Sequence, residues 1–279
     1  MGVDAGGTWI RVLASDGARP RAILRARRPG ELGEVLRAVW RRRGWTRRRV
    51  RALVIASRGI WTARERRALA GRLHALAGRV LVLSDAQAAL LGALVDRPGI
   101  LVLSGTGSIV IGRDAHGHWA RAGGLGPLLG DEGSAFWLGR EWLRATTQGE
   151  DMLPARRLVR AADAVARIAG LAPSVIRRAR RGDRHARVIV AAAQAHLAGF
   201  ALSVARQLRL RAPVTISWAG SVLDAAWFRA GLRRAVARAG LRARWQAPAA
   251  EPVVAAARLA ARLGAGGAPQ AYPPQRGPC

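Results

Sequence analysis

Short apolar runs alternate with amphipathic segments along the first third of the chain, a pattern typical of an α/β protein. Runs of apolar residues predict strands over residues 2–5, 8–15, 21–27, 52–56 and 80–83. Apolar residues at helical spacing predict helices over residues 32–40, 63–77 and 85–95. A Gly6-Gly7 turn joins the first two strands, because Gly-Gly accepts the positive φ angles of a tight hairpin.

The opening pattern recurs about 100 residues later, which is the length of a domain. Residues 3–13 and residues 102–112 both have a strand, a turn of small residues with a hydroxyl group, and a second strand. In the second copy the turn is Gly105-Thr106-Gly107. The repetition predicts a duplicated α/β unit whose two glycine turns can face each other across a cleft.

The rest of the chain is mostly helical by pattern. A glycine-rich stretch covers residues 123–133, and strands are predicted over residues 214–218 and 241–245. Helices are predicted over residues 134–146, 154–170, 173–210, 224–239 and 252–263. Residues 188–205 are long enough for a membrane span, but Gln194 and His196 at their centre favour a buried helix of a soluble protein. The Pro- and Gly-containing tail, residues 264–279, is expected to be mobile.

Charge is the most unusual feature of the composition. The 47 basic residues exceed the 17 acidic ones by 30, and every basic residue is arginine, since neither lysine nor asparagine occurs. Both missing residues have A-rich codons, so a GC-rich genome explains the bias. The arginines are spread along the chain and aromatic residues make up only 5%, so we expect a solvated basic surface without specific nucleic-acid binding.

Cys279 is the only cysteine, which excludes an internal disulfide framework, a cysteine-ligated zinc site and a self-contained iron–sulfur cluster. The first residues have neither the basic nor the apolar region of a signal peptide. We therefore expect a cytoplasmic protein with no membrane association.

Acidic residues are scarce, so their positions are informative. Asp85 follows the predicted strand 80–83, and ligands of open α/β sheets gather beyond the carboxyl ends of strands. Asp85 is therefore a candidate general base, although capping the helix that follows is the commoner role for an aspartate at such a position. The glycine turns match neither a Walker A loop nor a dinucleotide fingerprint. If they face each other, their N–H groups could bind a polyphosphate from both sides.

Five motifs in this order resemble the N-acetylglucosamine kinase family, a group of BadF/BadG/BcrA/BcrD-type ATPases within the sugar kinase, heat-shock protein 70 and actin fold. They are Asp4-Ala-Gly-Gly-Thr8, Ser84-Asp-Ala-Gln-Ala-Ala-Leu90, Ser104-Gly-Thr-Gly-Ser108, Gly123-Gly-Leu-Gly-Pro-Leu-Leu-Gly-Asp-Glu-Gly-Ser134 and Ala219-Gly-Ser-Val222. The resemblance implies a two-lobed, actin-like (ribonuclease H-like) α/β fold with duplicated domains around a central nucleotide cleft. The implied lobes are residues 1–97 with a return helix at 252–263, and residues 98–251 with a helical insertion.

By the same resemblance the chain is an ATP-dependent kinase that phosphorylates a hydroxyl of an amino sugar, with ATP and Mg²⁺ as cofactors. Asp85 would be the catalytic base, and Asp4 would organise Mg²⁺ through water. ATP and its phosphates would be bound by Gly6, Gly7, Thr8, Gly105, Thr106, Gly107, Gly220 and Ser221. The sugar would be bound by Ser108, Gly124, Leu125, Gly126 and Asp131. Assembly as a homodimer stays open.

Three departures from the family concern the acceptor sugar. Leu125 replaces a tryptophan that is common in relatives, the asparagine that usually touches the sugar is missing, and the stretch from Gly149 to Pro173 is short. One alternative is a regulator of the same fold that binds ATP or sugar without catalysis. Another is an activating ATPase of the 2-hydroxyacyl-CoA dehydratase type, which the missing internal cysteines disfavour.

Overall fold

The computed structural model describes residues 1–6, 9–15, 21–27, 31–147 and 152–267. The described strands are β1 Gly2–Ala5, β2 Trp9–Ala14, β3 Arg21–Arg27, β4 Ala52–Ser57, β5 Arg79–Ser84, β6 Gly99–Ser104, β7 Ser108–Arg113, β8 Trp119–Gly123, β9 Val214–Ala219 and β10 Ala243–Trp245. The described α-helices are α1 Leu32–Arg43, α2 Ala63–Arg72, α3 Asp85–Leu94, α4 Ala135–Thr146, α5 Met152–Arg160, α6 Ala164–Ala169, α7 Ala172–Arg181, α8 Arg184–Gln207, α9 Ser221–Asp224, α10 Ala226–Arg238 and α11 Pro252–Gly264.

The chain divides into two compact units. Unit 1 consists of Met1–Arg97, Ala115–His118 and the chain from Pro248 onward, and unit 2 of Pro98–Asp114 and Trp119–Ala247. Each unit has its own hydrophobic core.

The sheet of unit 1 has the strand order β3-β2-β1-β4-β5. The first three strands form an antiparallel meander, and β4 and β5 extend it in parallel from β1. All six residues of β4 are buried, as expected for a parallel strand that is covered on both faces. Helix α11 packs on β1, β4 and α3, so residues from both ends of the chain build this unit.

The sheet of unit 2 has the order β10-β9-β6-β7-β8 and repeats the same directions strand for strand. In both units the first strand of the meander also pairs on its other side with a parallel strand, and a second parallel strand pairs with that one. The duplication predicted from the two glycine turns is therefore present in the topology.

Helix α8 is, among the described helices, the one long and apolar enough to cross a membrane by length and composition. Half of its most apolar stretch is buried, and it packs against α4, α7, α10 and the β6–β8 meander of unit 2. A core helix passes the same test of length and composition, and the packing within unit 2 is that of a core helix.

Several predicted boundaries were wrong. The helix predicted over 63–77 ends at Arg72, and a 3-10 helix, His74–Leu76, follows because Leu73 and Leu76 turn into the core. The helix predicted over 224–239 is interrupted at Ala225, whose backbone is extended. Strand β8 was missed, because its five residues contain two alanines, an arginine and a glycine after Trp119, which give a weak strand pattern. Residues 268–279 of the predicted mobile tail lie outside the described residues.

Candidate active site

The carboxyl ends of the parallel strands β1, β4 and β5 lie side by side at one end of the unit 1 sheet. The register pairs Ala5 of β1 with Ser57 of β4, and Ser57 with Ser84 of β5. Asp4 and Asp85 are therefore brought to the same end of the sheet, on strands that are two strand spacings, or about 10 Å, apart. This end carries the two carboxylates that the sequence singled out in the first half of the chain.

Asp85 does not cap the helix it begins. Ser84 is the N-cap of α3, since its hydroxyl accepts from the N–H of Gln87 at 3.1 Å and the Gln87 side chain accepts from the N–H of Ser84 at 3.0 Å. The alternative interpretation of Asp85 as a capping residue was therefore wrong. One carboxylate oxygen of Asp85 accepts from the N–H of Ala86 at 2.8 Å.

The surroundings of Asp85 make its carboxylate a stronger base than an ordinary aspartate. Burial raises the pKa of the Asp85 carboxyl, the hydrogen bond from Ala86 and the charge of Arg58 oppose that shift, and the negative charge of Asp4 adds to it. A carboxylate with a raised pKa is better matched to accepting a proton near neutral pH.

Asp4 is held by an arginine from the neighbouring strand. Arg11 lies directly opposite Asp4 in the β1–β2 pair and donates to it at 2.5 Å. Its other terminal nitrogen donates to Glu251, the residue before α11, also at 2.5 Å. Arg11 and Glu251 were not among the predicted site residues. The hairpin register would have indicated Arg11, whereas Glu251 is far away in the sequence.

The first glycine turn is only partly described. The N–H of Gly6 donates to the carbonyl of Trp9 at 3.0 Å, which closes the base of the hairpin between β1 and β2. Gly7 and Thr8, which were also assigned to phosphate binding, lie outside the described residues.

The second glycine turn connects β6 and β7 in unit 2. It is closed by a hydrogen bond from the N–H of Gly105 to the carbonyl of Gly107, 2.9 Å. The carbonyls of Gly105 and Thr106 accept from Ala135 and Phe136 at the start of α4, 2.8 and 3.2 Å. Helix α4 therefore holds the carbonyl side of the turn.

Gly220 lies against the same turn. Its φ of +97° requires glycine, and a Cβ atom here would overlap the carbonyl of Ser104. Ser221, which begins α9, is exposed beside it. Unit 2 thus brings together the second glycine turn and the Gly220-Ser221 turn, which the sequence analysis assigned to different parts of the same nucleotide.

Ser108 and Asp131 are also brought together, but below the surface. The Ser108 hydroxyl donates to the carbonyl of Glu132 at 2.7 Å, and the Ser108 N–H donates to a carboxylate oxygen of Asp131 at 3.3 Å. Asp131 is 7% exposed, and a Cβ atom on Gly107 would lie 2.7 Å from its other oxygen. In this structure both side chains support the second glycine turn from beneath.

The three leucines of the glycine-rich stretch are exposed to solvent. Gly124 and Gly126 have positive φ angles of 73° and 83°, and Leu125 between them is 63% exposed. Leu128 and Leu129 are 93% and 79% exposed. Neither of these two leucines was among the predicted site residues. Leu125, Leu128 and Leu129 thus form an exposed apolar segment close in sequence to Asp131.

Two units that repeat one topology, a meander extended by two parallel strands, define an actin-like ATPase fold. The predicted fold class is thereby confirmed. The chain belongs to the BadF/BadG/BcrA/BcrD ATPase family, whose model matches residues 1–260. The family predicted from the five motifs is confirmed, and membership implies the use of ATP.

Known relatives give the family a more specific context. The N-acetylmuramic acid/N-acetylglucosamine kinase of Clostridium acetobutylicum is 45% identical over 74 residues, which are 26% of this chain and 24% of that enzyme. The N-acetyl-D-glucosamine kinase of Dictyostelium discoideum is 40% identical over 55 residues, 20% of this chain and 17% of that enzyme. The chain thus matches less than a quarter of the length of each curated relative.

Among solved structures, a protein of Porphyromonas gingivalis whose N-acetylglucosamine kinase name is provisional superposes with a TM-score of 0.64 at 22% identity. The match covers 90% of this chain and 96% of that protein. At this level of identity the likeness concerns the fold, which extends over nearly the whole chain.

Proposed function

We propose that this chain is an ATP-dependent kinase that phosphorylates a hydroxyl of an amino sugar of the N-acetylglucosamine or glucosamine type. The observation that carries the proposal is the position of Asp85. Its partly buried carboxylate lies at the carboxyl ends of the parallel strands of unit 1, and the capping of α3 does not require it. The family supports ATP as the phosphate donor, and the names of the two curated relatives support an amino sugar as the acceptor.

In this proposal Asp85 is the catalytic base. Phosphoryl transfer needs little covalent chemistry from the protein, which has to align the reactants and stabilise charge on the transferred group. Asp85 accepts the proton of the sugar hydroxyl as that oxygen bonds to the γ-phosphorus of ATP, while the bond from the γ-phosphorus to the bridging oxygen breaks and ADP leaves. Its raised pKa favours this step, because burial makes the carboxylate more ready to accept a proton.

The glycine turns bind the phosphates of ATP. Gly6, Gly7 and Thr8 form the first phosphate loop, Gly105, Thr106 and Gly107 form the second, and Gly220 and Ser221 bind the adenosine. No hydrogen bond occupies the N–H groups of Thr106 and Gly107 within the part of the chain that the structure describes, which leaves them for a phosphate oxygen. Gly124, Leu125 and Gly126 line the sugar site in this proposal, while the buried Ser108 and Asp131 support the second glycine turn from beneath.

Mg²⁺ fits the residues at the edge of unit 1. It prefers hard oxygen ligands, keeps several waters, and is usually held by one or two carboxylates together with substrate phosphates. Asp4 supplies one carboxylate, and the described residues contain no group of three or more acidic, His or Cys side chains that would form a protein cage. Asp4 would therefore orient the ion through water, while Arg11 fixes the Asp4 side chain. Mg²⁺ held there would neutralise charge on the ATP phosphates.

The two units correspond to the two lobes of the ATPase in this proposal, and the working compartment is the cytoplasm. The exposed Leu125 favours a second candidate, a regulator that binds nucleotide or sugar without turnover, because a leucine offers no flat aromatic face to a sugar ring.

The test is an ADP-release assay with MgATP over N-acetylglucosamine, glucosamine, N-acetylmuramic acid and glucose. We expect ADP release that depends on at least one amino sugar and exceeds the release with glucose. A folded protein that binds ATP but releases no ADP with any acceptor would overturn the kinase proposal and favour the regulator.

A further inference from the structure

An arginine-lined cavity lies at the amino ends of the parallel strands of unit 1, whereas Asp85 lies at their carboxyl ends. Its volume is about 610 Å³, and Arg47, Arg48, Arg51 and Arg79 line it together with the carboxyl end of α11. Arg79 begins β5 and Asp85 follows the end of the same strand, so the cavity is about 17 Å or more from the proposed catalytic base. It is therefore a separate feature of unit 1.

The charges in this cavity are not balanced by the protein. Its lining contains four arginines and no carboxylate. Elsewhere in unit 1, Arg72 pairs with Glu31 at 3.7 Å and Arg262 with Asp96 at 2.5 Å. None of the four cavity arginines forms an ion pair with a described residue, so four like charges share one concave surface. Such an arrangement attracts anions and is stabilised when one binds.

The backbone that carries these arginines is firmly held. The N–H of Val50 donates to Thr46 at 3.0 Å, the N–H of Gly78 donates to Val50 at 2.9 Å, and the N–H of Arg79 donates to Arg51 at 2.9 Å. Val50 is 4% exposed and anchors the loop in the core. An anion that enters the cavity would therefore not have to order the loop, which lowers the cost of binding.

The chemistry of the lining selects the class of ligand. Guanidinium groups match the oxygens of phosphate in bidentate geometry and keep their charge at any physiological pH. The volume lies within the range of small-molecule sites, and the lining has no aromatic side chain on which a nucleic-acid base could stack. These features favour a compact phosphate-bearing molecule over a nucleic acid.

We propose that this cavity, the Arg47–Arg79 cavity, is a binding site for a small phosphate-bearing anion, distinct from the proposed ATP site. The proposal does not depend on the kinase activity, because the cavity and the residues around Asp85 lie at opposite ends of the strands of unit 1.

The test measures binding of pyrophosphate, without Mg²⁺, to the full chain and to two double variants. Arg47→Gln/Arg48→Gln removes two charges from the cavity. Arg177→Gln/Arg180→Gln removes two charges from exposed positions of α7 in unit 2 and is the matched control for net charge. All four arginines are exposed, and thermal unfolding checks that both variants are folded.

We expect Arg47→Gln/Arg48→Gln to weaken pyrophosphate binding by roughly tenfold or more, since hydrogen bonds between charged groups are lost. The control should bind nearly as the original protein does. Footprinting with phenylglyoxal should show that pyrophosphate protects Arg47, Arg48 and Arg51 but not Arg177. Equal weakening in both variants, or no protection at the cavity, would overturn the proposal and assign the binding to net charge or to the glycine turns.

Discussion

At the scale of single residues, the carboxylate of Asp85 combines three properties of a general base. It follows a parallel strand at its carboxyl end, it is partly buried, and Ser84 relieves it of the capping role that an aspartate at this position could otherwise fill. Asp4 differs, because Arg11 binds its carboxylate directly. Two acids at the same edge of one sheet are thus set up for different tasks.

Asp85→Asn should reduce kcat by roughly 10²–10⁴-fold, the usual contribution of general acid–base catalysis. The amide has the shape of the carboxylate but cannot accept the proton, so ATP affinity should stay nearly unchanged. ADP release and nucleotide titration measure the two effects separately. Asp163→Asn, which affects an exposed ion pair with Arg167 in unit 2, is the control and should keep full activity. Equal losses of turnover and ATP binding in Asp85→Asn would mean that Asp85 has a structural role.

The same variant should change the dependence of stability on pH. Burial raises the pKa of Asp85 in the folded protein, so its protonated form is the one favoured by folding. This stabilisation is complete below the pKa of the unfolded chain and is lost as the pH rises through the folded value. Asp85→Asn, which stays neutral, should therefore unfold at a higher temperature than the original protein at neutral pH, and the difference should shrink on acidification. Thermal unfolding across the acidic range measures it, and a variant less stable at neutral pH would contradict the burial argument.

At the scale of elements, the packing of α11 against α3 completes unit 1. Residues 250–251, just before α11, approach α3 closely at Gly92. A Cβ atom on residue 92 would lie 2.7 Å from the carbonyl oxygen of Ala250 and 3.0 Å from that of Glu251, so the approach requires glycine. The N–H of Ala250 donates to the carbonyl of Gly92 at 3.0 Å. Because Glu251 also binds Arg11, this contact links the helix packing to Asp4.

Gly92→Ala should destabilise the protein by about 1–3 kcal/mol, because the added methyl group meets backbone atoms that cannot move independently. Gly71→Ala is the matched control, since Gly71 lies in α2 with no atom near the position of a Cβ. The control should gain up to about 1 kcal/mol from helix propensity. Urea unfolding of both variants gives the comparison, and equal effects would show that the close approach at Gly92 is not limiting.

The local pattern of apolar and polar residues predicted most helices and strands. It did not predict contacts between segments that are far apart in the sequence. The strands of both meanders other than β8, the parallel strands and α11 follow from runs and periods within about ten residues. The position of Asp85 followed from the end of its strand. The placement of Asp131 beneath Gly107 did not, because it depends on how the loop that carries Asp131, 23 residues after Ser108, folds back onto the turn. The solvent exposure of the apolar segment with Leu125, Leu128 and Leu129 was not predicted for a related reason. Whether a side chain is exposed depends on which other parts of the unit pack over it.

At the scale of the whole molecule, charge dominates. A net charge of +30 with arginine as the only basic residue places strong mutual repulsion on the folded surface. The described ion pairs offset only part of this repulsion. In the Arg47–Arg79 cavity four positive charges lie close together, so the repulsion is strong there.

Added sodium chloride should therefore raise the Tm of this protein. Salt shortens the range of repulsion between like charges, to about 10 Å at 0.1 M, and repulsion is stronger in the compact state than in the unfolded chain. Calorimetry over a chloride series measures the effect, and a neutral osmolyte series shows what part is due to solvent exclusion. Chloride is used instead of phosphate so that binding in the cavity does not add to the result. A Tm that falls with salt would mean that attractive pairs outweigh the repulsion.

The return of α11 to the sheet of unit 1 also has a consequence for synthesis on the ribosome. The strands that α11 covers, β1 and β4, emerge early, whereas α11 itself emerges only after the whole of unit 2 has been translated. Unit 2 is nearly continuous in the chain and has its own core, so it has everything it needs to fold while the nascent N-terminal strands still have one apolar face uncovered. Unit 1, whose strands are translated before unit 2, is thus completed only after it, and the uncovered apolar face of these strands is where a chaperone would bind the growing chain.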